Sequence, residues 1–149
     1  MTWQRRRTKA HPGWTLIEHP AEAGVRVRGS TLQQIFTHAA RGMMAILTGG
    51  AVVTGPQRRV RVRAQAATQE ELLVAWLREL LFQFERYHFI ARRWRFTHLN
   101  ERQLVAAVTG VRCDPRRQRL GAEIKAVTYH QLRIVRRRGV YHVPLIFDV

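Results

Sequence analysis

A chain of 149 residues with 46% hydrophobic content has the size and the apolar material for one domain, which excludes wholesale disorder. Its 24 arginines and 2 lysines, against 8 glutamates and 2 aspartates, give a formal charge of +16 and invite a polyanion partner, most obviously a nucleic acid. No run approaches a membrane span, and no apolar run follows the arginine-rich start, so neither a spanning helix nor a signal peptide is expected and a soluble cytoplasmic protein is. Arginine is nevertheless spread along the whole chain, as a coding bias would also produce, so charge alone names no partner.

Residues 1–13 (MTWQRRRTKAHPG) lack apolar periodicity and predict a flexible basic arm ahead of one domain over 14–149. Trp14 to Ile17 is a short apolar run. Val25 and Val27 alternate with Arg26 and Arg28, as in a half-buried strand. Ser30 or Thr31 can cap the next helix, with Gln33 or Gln34 as the box partner. Leu32, Ile35, Phe36, Ala39, Ala40, Met43 and Met44 give that helix its apolar stripe to about residue 47, before Gly49 and Gly50. A second strand runs from about Arg58 to Ala66, with Arg59, Arg61 and Arg63 on one face and Val60 and Val62 on the other. A phosphate stripe and an ordinary solvated face both fit that string.

Thr68 or Gln69 opens a second helix, where Glu70 and Glu71 sit in the dipole-favoured first turn. Its stripe includes Leu72, Leu73, Trp76, Leu77, Leu80 and Leu81, which makes Trp76 a core residue rather than a stacking platform. From Tyr87 onward the period becomes two, and HFIARRWRFTHL, RQLVAAVTGVRC, EIKAVTYHQLRIV and GVYHVPLIFDV read as four strands. Strict alternation in the first places Phe89, Ala91, Arg93, Arg95 and Thr97 on one face, and Ile90, Arg92, Trp94, Phe96 and His98 on the more apolar one. The expected order is β-α-β-α-β-β-β-β. The predicted fold is a two-layer α+β domain in which two main helices cover a mixed or antiparallel sheet.

Most catalytic constellations are excluded. There is no glycine-rich phosphate loop, and Ser30, the only serine, lies in no nucleophile elbow. Cys113 is the only cysteine, which excludes an intrachain disulfide and a thiolate zinc site and predicts a buried, inert thiol. His88, His98, His130 and His142 are too scattered to read as a zinc set. Asp114 precedes Pro115 as an ordinary turn former.

The scarce acids are more informative. Glu22 enters a strand, while Asp148 ends the apolar run PLIFDV and Val149 adds a terminal carboxylate. Hard oxygen donors grouped this way suit calcium or magnesium rather than zinc, although pairing with arginine would use them equally. Glu79 reads as a rim residue of the second helix. Glu123 and Lys125 share one strand face and could form an ion pair.

Four blocks resemble the archease family in order: EHPAEAGVRVRGSTLQQIFTHAARGM at 18–43, LLVAWLRELLF at 72–82, EIKAVTYHQL at 123–132 and LIFDV at 145–149. The resemblance implies an α+β domain with a bound divalent ion, calcium foremost, with magnesium or manganese as alternatives. It also implies a partner, an RtcB-type RNA ligase that joins RNA ends in tRNA splicing and RNA repair. The family is similar to a turnover factor that promotes guanylylation of the ligase's active-site histidine and is not itself an enzyme. Carried over by position, Glu22, Asp148 and Val149 are the metal residues. His19, Lys125, Thr128 and His130 match positions that line or support the site, and Glu79 is a further supporting candidate. The chain departs from the family pattern with Pro20 for threonine, Glu22 for aspartate and Ala75 for aspartate. A basic RNA-binding accessory module is the competing expectation, with transient RNA contact through the arm, the strand arginines and Arg136, Arg137 and Arg138. A metal-dependent hydrolase ranks below both.

Overall fold

The computed structural model describes residues 13–19, 22–116, 120–129 and 132–149, and for Glu18 and His19 the backbone alone. The order is β1 (Trp14–His19), β2 (Glu22–Gly29), α1 (Leu32–Thr48), β3 (Gln57–Gln65), α2 (Gln69–Tyr87), β4 (Phe89–Leu99), β5 (Gln103–Arg112), β6 (Ala126–Thr128), β7 (Val135–Arg137) and β8 (Val140–Asp148). The α+β class with two main helices stands. Two details differ from the expected order: residues 14–19 form a strand of their own, and the stretch 123–135 yields two short strands instead of one. The expected basic arm lies outside the described residues except at Gly13.

The strands form two antiparallel sheets rather than one. The first runs β1-β2-β8-β6, with β7 also on β8, and the second runs β3-β5-β4. β6 and β7 lie along the same edge of β8. Thr128 faces Ile146 and Val135 faces His142, so the edge takes seven steps where β8 takes four. Two of the described residues between these strands meet α2. Arg78 donates to the Val127 carbonyl (3.3 Å) and lies over the Tyr129 ring, and the Ile134 N–H donates to Glu70 Oε1 (3.3 Å). The alternation in EIKAVTYHQLRIV thus marks a real sheet edge interrupted by contacts to a helix distant in sequence.

Both helices begin as their sequences dictate. Thr31 accepts from the Gln34 N–H (3.1 Å) while Gln34 Oε1 accepts from the Ser30 N–H (2.7 Å). Thr68 accepts from the Glu71 N–H (3.2 Å) and Glu71 reaches back to the Ala67 N–H (3.2 Å). α1 ends at Gly49, whose left-handed φ of 64° suits glycine. Its last carbonyls are then met by a distant segment: Gly121 N–H donates to Leu47 O (2.8 Å) and Ala122 N–H to Ile46 O (3.1 Å). A Cβ on Gly121 would lie 2.3 Å from both Gly49 N and Ile46 O, so only glycine permits this approach. The clamp delivers the chain to β6 and so to the end of the five-stranded sheet.

The core lies between the helices and the inner faces of both sheets. Val25, Val27, Val143, Leu145 and Phe147 supply one sheet, Val62, Leu104, Ala106 and Val108 the other, and all are buried. Trp76 is fully buried at the junction; its indole N–H donates to Phe36 O (3.0 Å), and its ring meets Trp94 and Phe96 edge-on at 6.1 and 5.3 Å. β4 departs from strict alternation through two bulges, between Ala91 and Arg93 and between Phe96 and His98. Each inserts one residue and flips the facing that follows. Phe89, Ile90 and Ala91 are all buried ahead of the first bulge, Arg92 is exposed at it, and His98 stands opposite Val105 rather than with Trp94 and Phe96. Among the described residues, no helix is long and apolar enough to cross a membrane.

Candidate functional site at the end of the five-stranded sheet

Hairpin β1–β2 and strand β8 bring together residues 126 positions apart in sequence. Glu22 is the direct cross-strand partner of Asp148, with His19 opposite Glu22 on the other side and Ala126 opposite Asp148. One row across the sheet thus reads His19, Glu22, Asp148, Ala126. Directly opposed residues in an antiparallel pair point to the same face. That face is the outer one, because Val25, Val27, Val143, Leu145 and Phe147 occupy the buried alternate positions. Glu22 is half-buried and Asp148 exposed.

The row is anchored on the β6 side. The Lys125 N–H donates to Asp148 O (2.7 Å), and Thr128 Oγ1 donates to Ile146 O (3.0 Å). Val149 follows Asp148 and packs, half-buried, against the core. The ribbon therefore fixes where the two carboxylates stand. Like charges placed directly opposite on a sheet destabilise it, and the oxygen-only chemistry of the two side chains suits a hard divalent cation. Among the described residues neither carboxylate has an ion-pair partner, and no set of three His, Cys, Asp or Glu side chains converges on one point. The donors present fit an oxygen-coordinated cation and not a zinc site.

The supporting candidates fall differently. Lys125 and Thr128 lie at this sheet end, His19 does so by its backbone, and His130 lies outside the described residues. Glu79 is exposed on α2, beside the Arg78 that holds β6. Glu123 and Lys125 are exposed and precede β6 instead of sharing a strand face. Cys113 is buried, and burial, reinforced by the charge of Asp114, pushes its thiol pKa up, which suits the inert thiol expected from sequence. Asp114 accepts from the Arg116 N–H (2.9 Å), the turn geometry its Pro115 neighbour suggests.

A larger concavity of about 970 Å³ opens beside α1, lined among others by Trp14, His38, Arg41, Val53 and Trp94. Among the described residues no carboxylate lines it, although Ala23 and Gly24, which follow Glu22 on β2, do. Composition and periodicity reached Glu22 and Asp148 singly, and only the family resemblance assigned them to one site. Their pairing needed the β2–β8 register, for which alternation on each strand is the only local signal.

Residues 14–149 match the Archease protein family (MTH1598/TM1083). The chain belongs to the archease family. It is 28% identical over 137 residues to the protein archease of Methanosarcina barkeri, spanning 89% of this chain and 93% of that relative. It is also 28% identical over 139 residues to the protein archease of Methanopyrus kandleri, spanning 91% of this chain and 99% of the relative. The fold is similar to the solution structure of Methanobacterium thermoautotrophicum protein 1598, with a TM-score of 0.69 at 24% identity over 93% of this chain and all of that one. It is likewise similar to the crystal structure of a Thermotoga maritima archease, with a TM-score of 0.61 at 20% identity over 89% and 94% of the two chains. The archease match takes in β1 and β8 alike, so the acidic row lies wholly within the matched span.

Proposed function

We propose that this archease activates an RtcB-type RNA ligase in the cytoplasm, promoting guanylylation of the ligase and multiple turnover in tRNA splicing or RNA repair. It acts as a protein activator and not as the catalyst. The observation that carries the reading is the family match over 14–149, which encloses the opposed Glu22 and Asp148. In this reading Glu22, Asp148 and a main-chain oxygen of Val149 hold a divalent cation, calcium foremost, with magnesium or manganese as alternatives. Such a cation, when bound, neutralises phosphate charge and orients phosphate oxygens.

The chain's own residues supply the rest. β2 and β8 hold the carboxylates at a fixed separation on an exposed face, where a second protein can approach them. The Lys125 main-chain bond and the Thr128 hydroxyl keep the end of β8 from fraying, so the row is presented pre-formed. Glu22 is one methylene longer than the aspartate of the family pattern, which shifts ion preference without removing the charge. The deciding experiment is ligation by a cognate RtcB-type ligase under single- and multiple-turnover conditions, with and without this protein and a divalent ion. Faster histidine guanylylation and sustained turnover are expected, and Glu22→Gln and Asp148→Asn proteins that fold should stimulate poorly. Full stimulation by both folded variants would overturn the role given to the acidic row.

A further inference from the structure

The outer face of the three-stranded sheet carries a second, oppositely charged arrangement. On β3, Arg59, Arg61 and Arg63 are all exposed; on β4, so are Arg93 and Arg95. The register aligns them across β5: Arg59, Thr109 and Arg93 form one row, Arg61, Ala107 and Arg95 the next, and Arg63, Val105 and His98 the third. The bulge at Arg92 is what sets Arg93 and Arg95 outward while Trp94 and Phe96 turn in. Two columns of guanidinium groups therefore flank a floor of small side chains. The columns stand about 10 Å apart at the backbone and their members repeat about every 7 Å along each strand. None of β3, β4 and β5 contains an aspartate or glutamate, although α2, which packs on their inner side, has Glu70, Glu71, Glu79 and Glu85.

We propose that this face binds the sugar-phosphate backbone of base-paired RNA. Guanidinium forks match phosphate oxygens in bidentate geometry, and the acid-free floor lets one backbone strand lie along β5 with arginines on both sides. A protein partner would need a large apolar or aromatic anchor at the centre of the patch, and Val105, Ala107 and Thr109 offer none. A single strand would need rings on which to stack, and the aromatic side chains of β4 face the core. What remains is sequence-independent contact with the outward phosphates of a helix. The choice of RNA over DNA rests on the ligase reading above. The surface itself lies on the other sheet from the acidic row, so a ligase could engage one while RNA lies on the other.

The test uses the full chain and a base-paired RNA hairpin, with binding followed by fluorescence anisotropy from about 50 to 200 mM salt. A triple Arg61→Gln/Arg63→Gln/Arg95→Gln protein is compared with the charge-matched triple Arg28→Gln/Arg116→Gln/Arg133→Gln. The first should weaken binding at least about tenfold and lower the slope of log K against log salt by about 2 to 3; the second should change affinity less than about threefold. Equal losses in the two triples would reduce the effect to net charge and overturn the proposal. So would absence of hairpin binding by the parent at the lowest salt, or tighter binding of a matched DNA hairpin. RNA-free guanylylation of the ligase is read in parallel. The Arg61/Arg63/Arg95 triple should stimulate it as the parent does. Failed hairpin binding with intact stimulation overturns this inference alone, whereas absent stimulation by the parent overturns the ligase reading.

Discussion

The two sheets handle like charge in opposite ways. In the five-stranded sheet, Glu22 and Asp148 stand directly opposite each other on adjacent strands. In the three-stranded sheet, no arginine faces another across neighbouring strands, because Thr109, Ala107 and Val105 of β5 separate the two columns. At about 10 Å the columns are a Debye length apart in 0.1 M salt, so their mutual repulsion is largely screened. One arrangement is costly until a small, dense charge is placed between its members. The other tolerates itself and suits an extended partner with repeating charge. Both follow from the same rule, that an antiparallel sheet covered by helices on one side leaves every second residue of each strand outward.

That comparison assumes that both faces rest on one core, and the largest expected effect tests this. Trp76 packs against Phe36 O and the rings of Trp94 and Phe96, and α2 contacts strands of both sheets. Trp76→Ala should cost about 3–5 kcal/mol through lost burial and the cavity left behind. Chemical denaturation should show one transition moved to lower denaturant for probes in either sheet. Separate transitions for the two sheets would break the picture of a shared core.

The second effect isolates the acidic row. Divalent ion in hundredfold excess over its dissociation constant should stabilise the folded protein by about 2.7 kcal/mol, a rise in Tm of roughly 5–10 °C for a chain of this size. Glu22→Gln and Asp148→Asn should each abolish most of that rise in a thermal melt, and Arg61→Gln should leave it intact. An undiminished rise in both carboxylate variants would move the ion elsewhere.

How much of this was legible in the sequence depends on whether the signal was local. Helix starts, the stripe around Trp76 and the alternation at Val25/Val27 and Val60/Val62 were readable, because capping and periodicity act within a turn or two. Glu22 and Asp148 were also readable, since an acid at a strand end stands out in a chain of +16. The division into two sheets was not, because it depends on which strands pair over long separations. The β4 bulges were equally invisible: Arg92 and Thr97 look like regular members of an alternating string, and only the pairing with β5 exposes the extra residues. The break between β6 and β7 escaped because the contacts beside it, from Arg78 to Val127 and from Ile134 to Glu70, reach α2, more than 45 residues away. The sequence displayed Arg59, Arg61 and Arg63 on one face of β3 and Arg93 and Arg95 on one face of β4, but not that they align across β5, which needs three strands in register.

The smallest effect separates the two sheets most sharply. In chelator-containing buffer at about 0.1 M salt, a double-mutant cycle on Glu22→Gln and Asp148→Asn should report a repulsive coupling of about 0.2–1 kcal/mol, so that either single substitution stabilises the ion-free protein. The same cycle on Arg61→Gln and Arg95→Gln should give a coupling within measurement error, because β5 holds the pair a Debye length apart. Lowering the salt tenfold lengthens the Debye length to about 30 Å and should bring out a repulsive coupling between the arginines. Adding divalent ion should reverse the sign at the acidic row, since each carboxylate then supports binding at the other. A coupling between Arg61 and Arg95 as strong as that between the acids at 0.1 M salt would mean that the small floor of β5 does not keep the columns apart, and with it would go the contrast between a site that demands a counter-charge and a surface that merely welcomes one.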